Sequence, residues 1–131
     1  MVKRGSDHAM IKGIGIDLVS VDRIRKVMDR TDGFVEKVFT GRERSYCESK
    51  ADRAMYFAAR FAVKEAVMKA LGKGLGFVRF QDIEVESNGR QEPKVILKGT
   101  ALDRFEELGG RAVHISISHE KEYAAAVAVL E

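Results

Sequence analysis

The sequence predicts an α+β fold in which an antiparallel sheet packs against one long helix. Strand-like segments come in adjacent pairs, "FQDIEVE" with "KVILKG" and "AVHISIS" with "YAAAVAVLE", an order that favours antiparallel pairing. The segment from about Ala54 to Leu71 has helical periodicity, with Tyr56, Phe57, Phe61, Val63, Val67 and Leu71 spread around well over half its circumference, so this helix is mostly enclosed. At 131 residues the chain is sized for a single domain. Residues 1–9, "MVKRGSDHA", are polar and aperiodic, and Met10 is a natural start. A leader or tag remnant is therefore expected over 1–9 and the domain over 10–131.

From Met10, "MIKGIGIDLV" alternates as a strand, with Ile14, Ile16 and Leu18 on one face and Gly13, Gly15 and Asp17 on the other. "SVDRIRKVMDR" follows as a helix with Ser20 as N-cap, an apolar side of Val21, Ile24, Val27 and Met28, and a basic stripe of Arg23, Lys26 and Arg30. "TGRE", Thr40 to Glu43, matches the capping-box pattern and opens a short helix to about Ser49, before the long helix that Gly72 is placed to end. The glycine-rich "GKGLG" leads into two strands joined by an Asn-Gly turn, with Pro93 near the start of the second. A helix from about Thr100 to Leu108, closed by Gly109 and Gly110, and two final strands give the order β-ααα-ββ-α-ββ. The last strand is apolar on both faces, so it is either central or covered by another subunit, and a homo-oligomer is expected.

Composition narrows the function classes. Hydrophobic residues at 45% and charged residues at 33% are typical of a soluble globular chain. With neither a signal peptide nor an apolar run of spanning length, a cytoplasmic protein with no membrane partner is expected. The lone Cys47 cannot form an internal disulfide, and no Cys/His cluster has zinc spacing. A net charge of +3 leans toward acidic partners but is too mild to indicate nucleic acid.

The charges on the long helix raise the functional question. Arg60 and Lys64 share one arc of it, while Glu65 and Lys69 share another, flanked by Ala58, Ala62 and Ala66, which let a neighbouring element or a ligand approach closely. A Glu-to-Lys pair four residues apart supports any helix by roughly 0.2–0.5 kcal/mol, and alone it implies nothing more. Asp17 leaves a buried-looking strand, however, and two carboxylates in buried settings call for compensation. Mg²⁺ supplies it, because it takes one or two protein carboxylates and fills its remaining positions with water and phosphate oxygens. Lys69, one turn beyond Glu65, then meets a phosphate, although Asp17 reads equally well as a polar cap at the strand-to-helix junction. "GIGID" and "GKGLG" complete neither the Gly-x-Gly-x-x-Gly nor the P-loop pattern. In "HISISHE", His114, Ser116 and Ser118 share a strand face and His119 stands at the strand end, without the Gly-x-Ser-x-Gly elbow of a serine hydrolase.

Three blocks, "GIGIDLVSVDRI", "RFAVKEAVMKALG" and "HISISHEKEYAAAVAV", together resemble the holo-acyl-carrier-protein synthase family, the short 4′-phosphopantetheinyl transferases. The resemblance implies a 4′-phosphopantetheinyl transferase-like fold and transfer of 4′-phosphopantetheine from coenzyme A to a serine of apo acyl carrier protein, a step of fatty acid biosynthesis that releases adenosine 3′,5′-bisphosphate. It implies magnesium binding by Asp17 and Glu65, a phosphate contact by Lys69, coenzyme A contacts by Arg60 and His119, and a phosphate-lining loop at Gly72, Lys73 and Gly74. Arg23 matches a carrier-protein contact, with Lys26 and Arg30 on the same stripe, and the family's trimer would cover the doubly apolar last strand. The base that takes the serine proton is left open among Glu65, a metal-bound water and His119. Departures are Val63, where the family usually has Ala, and a longer turn, "NGRQEPK". The competing class is a non-catalytic adaptor that uses the basic helix to bind acidic carriers or nucleic acid. It has no need of Asp17, Glu65 and Lys69 together. A sister transferase for peptide-synthetase carriers is disfavoured by length and by the lack of an internal repeat.

Overall fold

The computed structural model describes residues 10–72, 76–87 and 92–131. The first strand, β1 (Gly13–Ser20), is followed by four helices, α1 (Val21–Arg30), α2 (Phe34–Val38), α3 (Gly41–Glu48) and α4 (Arg53–Leu71). A 3₁₀ turn over Phe80–Asp82 then leads into the hairpin strands β2 (Ile83–Glu86) and β3 (Lys94–Leu97), followed by α5 (Gly99–Glu107) and the strands β4 (Val113–His119) and β5 (Tyr123–Leu130). β5 lies between β1 and β4 in a three-stranded antiparallel sheet, and β2 and β3 form a separate antiparallel pair. The α+β expectation holds, and the last strand is central.

Local signals account for most boundaries. Ser20 caps α1 by accepting from the Arg23 N–H. Thr40 and Glu43 form a complete capping box at the start of α3. Gly72, at φ +75°, ends α4 in the left-handed conformation that a side chain would strain. Two expectations fail. α2 adds a fourth helix to the anticipated three, a five-residue turn of helix too short for a periodic signal. Phe80, Gln81 and Asp82 belong to the 3₁₀ turn rather than to the strand that follows. The Asn-Gly turn, the leader over 1–9 and the loop positions Lys73 and Gly74 lie outside the described residues.

Backbone contact between β1 and α4 sets the geometry of the core. A Cβ at Gly13 would run into the carbonyl of Ala70, and one at Gly15 into the carbonyl of Ala66, so strand and helix touch where neither carries a large side chain. The close approach that the alanines permit is therefore made by a neighbouring element. Ala124, Ala126, Ala128 and Leu130 extend this buried face across β5. Pleat alternation then turns Ile14, Ile16 and Leu18 outward, at 63%, 66% and 67% exposure, beside Val127 and Val129 of β5. The side of β1 richest in hydrophobic residues is its open side.

Lys64 finds its partners on the far side of α4. Its ammonium meets the Glu43 carboxylate at 2.9 Å, with both side chains fully buried, and it donates to the carbonyls of Phe80 and Ile83. Glu43 also accepts from the N–H groups of Thr40 and Val85. Burial pulls the Lys64 pKa down, with Glu43 opposing it. One ion pair thus ties α3, α4 and β2 together.

Two outcomes follow for stability. Gly15→Ala should destabilise by about 3 kcal/mol or more, measured by denaturant unfolding, because overpacking falls on backbone that cannot yield. Lys64→Met alone should cost about 3–5 kcal/mol by stranding Glu43, and Lys64→Met/Glu43→Leu should cost less than the two single changes added, as read from a double-mutant cycle.

Candidate active site

β1 runs antiparallel to α4, since Gly13 lies against Ala70 and Gly15 against Ala66, which brings Asp17 toward the turn of α4 that carries Glu65. Lys69 completes the group. Helical side chains lean toward the N-terminus of their helix, so its long stem reaches back to β1. There the ammonium donates to the Ile16 carbonyl at 2.9 Å and to Asp17 Oδ1 at 3.2 Å. The Glu65 carboxyl is raised above its ordinary value, chiefly by burial and then by Asp17, with Lys69 pulling the other way. Asp17, Glu65 and Lys69 form one electrostatic cluster.

A cavity of about 270 Å³ opens beside it, with Asp17, Glu65 and Arg23 at its polar side and Ile24, Phe34 and Phe61 at its apolar side. Arg23 is thus brought to the site by α1. The rest of the basic stripe is not uniform: Lys26 is held by Asp22 at 3.0 Å, while Arg30 is exposed in the last turn of α1.

Arg60 and His119 occupy a second group. Arg60 is 4% exposed, with its guanidinium 4.1 Å from the centre of the Tyr46 ring, and its buried Nε has no hydrogen-bond partner among the described residues. Tyr46 meets Tyr56 edge-on, and Tyr56 meets His119 at 5.3 Å. Lys50 sits over both tyrosine rings. The sequence marks Tyr56 only as an enclosed position of the long helix and does not mark Tyr46 at all; the available signal was Tyr56 one helical turn before Arg60. Strand register puts His119 on the same sheet face as Asp17, two strands away and offset by two residues, or roughly 12 Å by strand spacing and rise. His114 faces the other way and pairs with Glu131 at 2.7 Å. Cys47 is buried, and burial pushes its thiol up to about 12, which leaves it unreactive.

Comparison with known proteins matches residues 13–128 to the model of the 4′-phosphopantetheinyl transferase superfamily. The chain belongs to this superfamily. The holo-[acyl-carrier-protein] synthase of Clostridium acetobutylicum is 43% identical over 122 residues, covering 93% of this chain and 98% of that protein. A holo-(acyl-carrier-protein) synthase from Bacillus anthracis, solved in complex with CoA (3′,5′-ADP), superposes with a TM-score of 0.76 at 40% identity, over 93% of this chain and 97% of the other. The Helicobacter pylori enzyme in complex with coenzyme A gives 0.78 at 32% identity, over 90% of this chain and 99% of that one. The transferase fold is thereby shared along nearly the whole described chain.

Glu65 makes stability depend on pH in a definite direction. A carboxyl with its folded-state pKa raised binds more protons folded than unfolded, so stability falls as pH rises through that window and stays lower above it. In chelator, Glu65→Gln should therefore melt above the wild type at pH 7, and the difference should close below the ordinary carboxyl value of 4.5. Equal melting temperatures at pH 7 would mean that Glu65 carries no such strain.

Proposed function

We propose that this chain is a holo-acyl-carrier-protein synthase, transferring 4′-phosphopantetheine from coenzyme A to a serine of apo acyl carrier protein and releasing adenosine 3′,5′-bisphosphate. Membership of the superfamily supports the reaction class. The observation that carries the reading to this chain's own residues is the convergence of Asp17, Glu65 and Lys69 beside a cavity.

The donor set fits a hard divalent cation: two carboxylates, with the Ile16 carbonyl next to one of them. We assign Asp17 and Glu65 to Mg²⁺, which when bound neutralises charge on the pyrophosphate of coenzyme A. Lys69 offers its ammonium to the phosphate being transferred, where positive charge stabilises the transition state more than the ground state. Arg60, stacked on Tyr46 with an Nε unpartnered among the described residues, holds the nucleotide end together with His119 and the loop at Gly72, Lys73 and Gly74. Arg23, Lys26 and Arg30 receive the acidic carrier, with Arg23 nearest the reacting groups. Among the described residues no helix is long and apolar enough to cross a membrane.

The outward row Ile14, Ile16 and Leu18 needs cover, and we assign it to further copies of this chain in a homotrimer. Sedimentation should give three protomers for the wild type and one for Ile16→Asp, whose side chain is exposed in the protomer and so leaves its fold intact.

The reaction is tested by mass spectrometry of an apo acyl carrier protein incubated with coenzyme A and this protein. The carrier should gain one phosphopantetheine group with Mg²⁺ and none with excess chelator. Glu65→Ala should abolish the gain while remaining folded. Carrier binding without any gain in mass would favour the adaptor function instead.

A further inference from the structure

Lys69 holds the two oxygens of β1 that lie nearest to it, the Ile16 carbonyl and Asp17 Oδ1. These are hard oxygen donors of the kind a divalent cation uses, and Mg²⁺ approaches its ligands to about 2.0–2.1 Å. An ammonium already hydrogen-bonded to Oδ1 of Asp17 competes with such an ion for the same carboxylate, and the two positive charges repel. We infer that Lys69 is the internal counter-ion of Asp17 and that a divalent cation takes up Asp17 only by displacing it. This rests on the metal reading above and adds to it a second role for the lysine.

Three features suit Lys69 to leave. Its side chain is 54% exposed, so it has room to swing, whereas the Asp17 side chain is only 15% exposed and stays in place. Its flexible four-carbon stem changes direction without moving α4. Its ion pair is partly solvated, and such pairs are weak enough to be broken by a stronger ligand. Lys64 on the same helix is the contrast: fully buried and held by three acceptors, it is not exchangeable. Displacement also frees the Lys69 ammonium for a phosphate, so cation entry and lysine release are one event. The lysine keeps the Asp17 charge compensated until substrate and ion arrive together.

The test is Mn²⁺ binding to the full chain without coenzyme A, followed by the electron paramagnetic resonance of the free ion. Wild type is compared with Lys69→Met and with Arg23→Met, which removes a positive charge from the same cavity but not the hydrogen bond to Asp17. Lys69→Met should bind Mn²⁺ about three- to tenfold more tightly than wild type, the range expected for releasing one partly solvated ion pair and its repulsion. Arg23→Met should stay close to wild type. Equal or weaker binding by Lys69→Met overturns the inference, as does equal tightening by Arg23→Met, which would reduce the effect to the general field. If none of the three binds millimolar Mn²⁺, even with coenzyme A, the metal reading itself falls and this inference with it.

Discussion

The contact of one strand backbone with one helix backbone governs the rest of this molecule. Gly13 and Gly15 lie on Ala70 and Ala66 with no side chain between them, and that closeness is what lets Asp17 share a site with Glu65 and Lys69. Two residues of strand advance ~7 Å and four residues of helix ~6 Å, so the two elements stay in step over this short overlap. A side chain at either glycine would push β1 outward and carry Asp17 away from Glu65. The alanines of α4 and β5 serve the same end, because a thin interface trades dispersion contacts for precise spacing of the polar groups at its edge.

Neighbouring charges on α4 meet opposite fates for a simple geometric reason. Consecutive helical residues point about 100° apart, so Lys64 faces α3 and β2 while Glu65 faces β1. Lys64 has an acceptor for each of its three protons and is part of the frame. Among the described residues Glu65 has no such closure: burial and Asp17 both push against its charge, and Lys69 offsets them in part. A carboxylate whose charge is opposed in this way beside a cavity marks a candidate functional site.

Much of this was legible in the sequence where the governing physics is local. The Ser20 cap, the Thr40–Glu43 box and Gly72 are decided within a few residues, and all three stand as expected. Asp17 on a glycine-lined face was readable from strand alternation, and Glu65 with Lys69 from helical spacing. Non-local facts were not readable. Glu43 looked like a capping residue only, and nothing in its neighbourhood announces the lysine 21 positions later in the chain that shares its carboxylate. The Tyr46–Tyr56–His119 chain joins three separate elements. α2 was missed because five residues do not establish a period. The site residues were recognisable as types, while their partners waited on the fold.

The two faces of the sheet are mechanically one object. β1 is an edge strand of the sheet, paired only with β5 among the described strands, and it carries Asp17 on one face with Ile16 and Leu18 on the other. A strand held by a ladder on one side alone is the easiest part of a sheet to open. Anything that packs on Ile16 and Leu18 therefore restrains the backbone that aims Asp17 at Glu65 and supplies the Ile16 carbonyl to Lys69. Cover on the apolar face and order at the polar face rise together. Hydrophobic residues turned away from the core of the chain thus share a strand with its charged site, so that what covers the one bears on the order of the other.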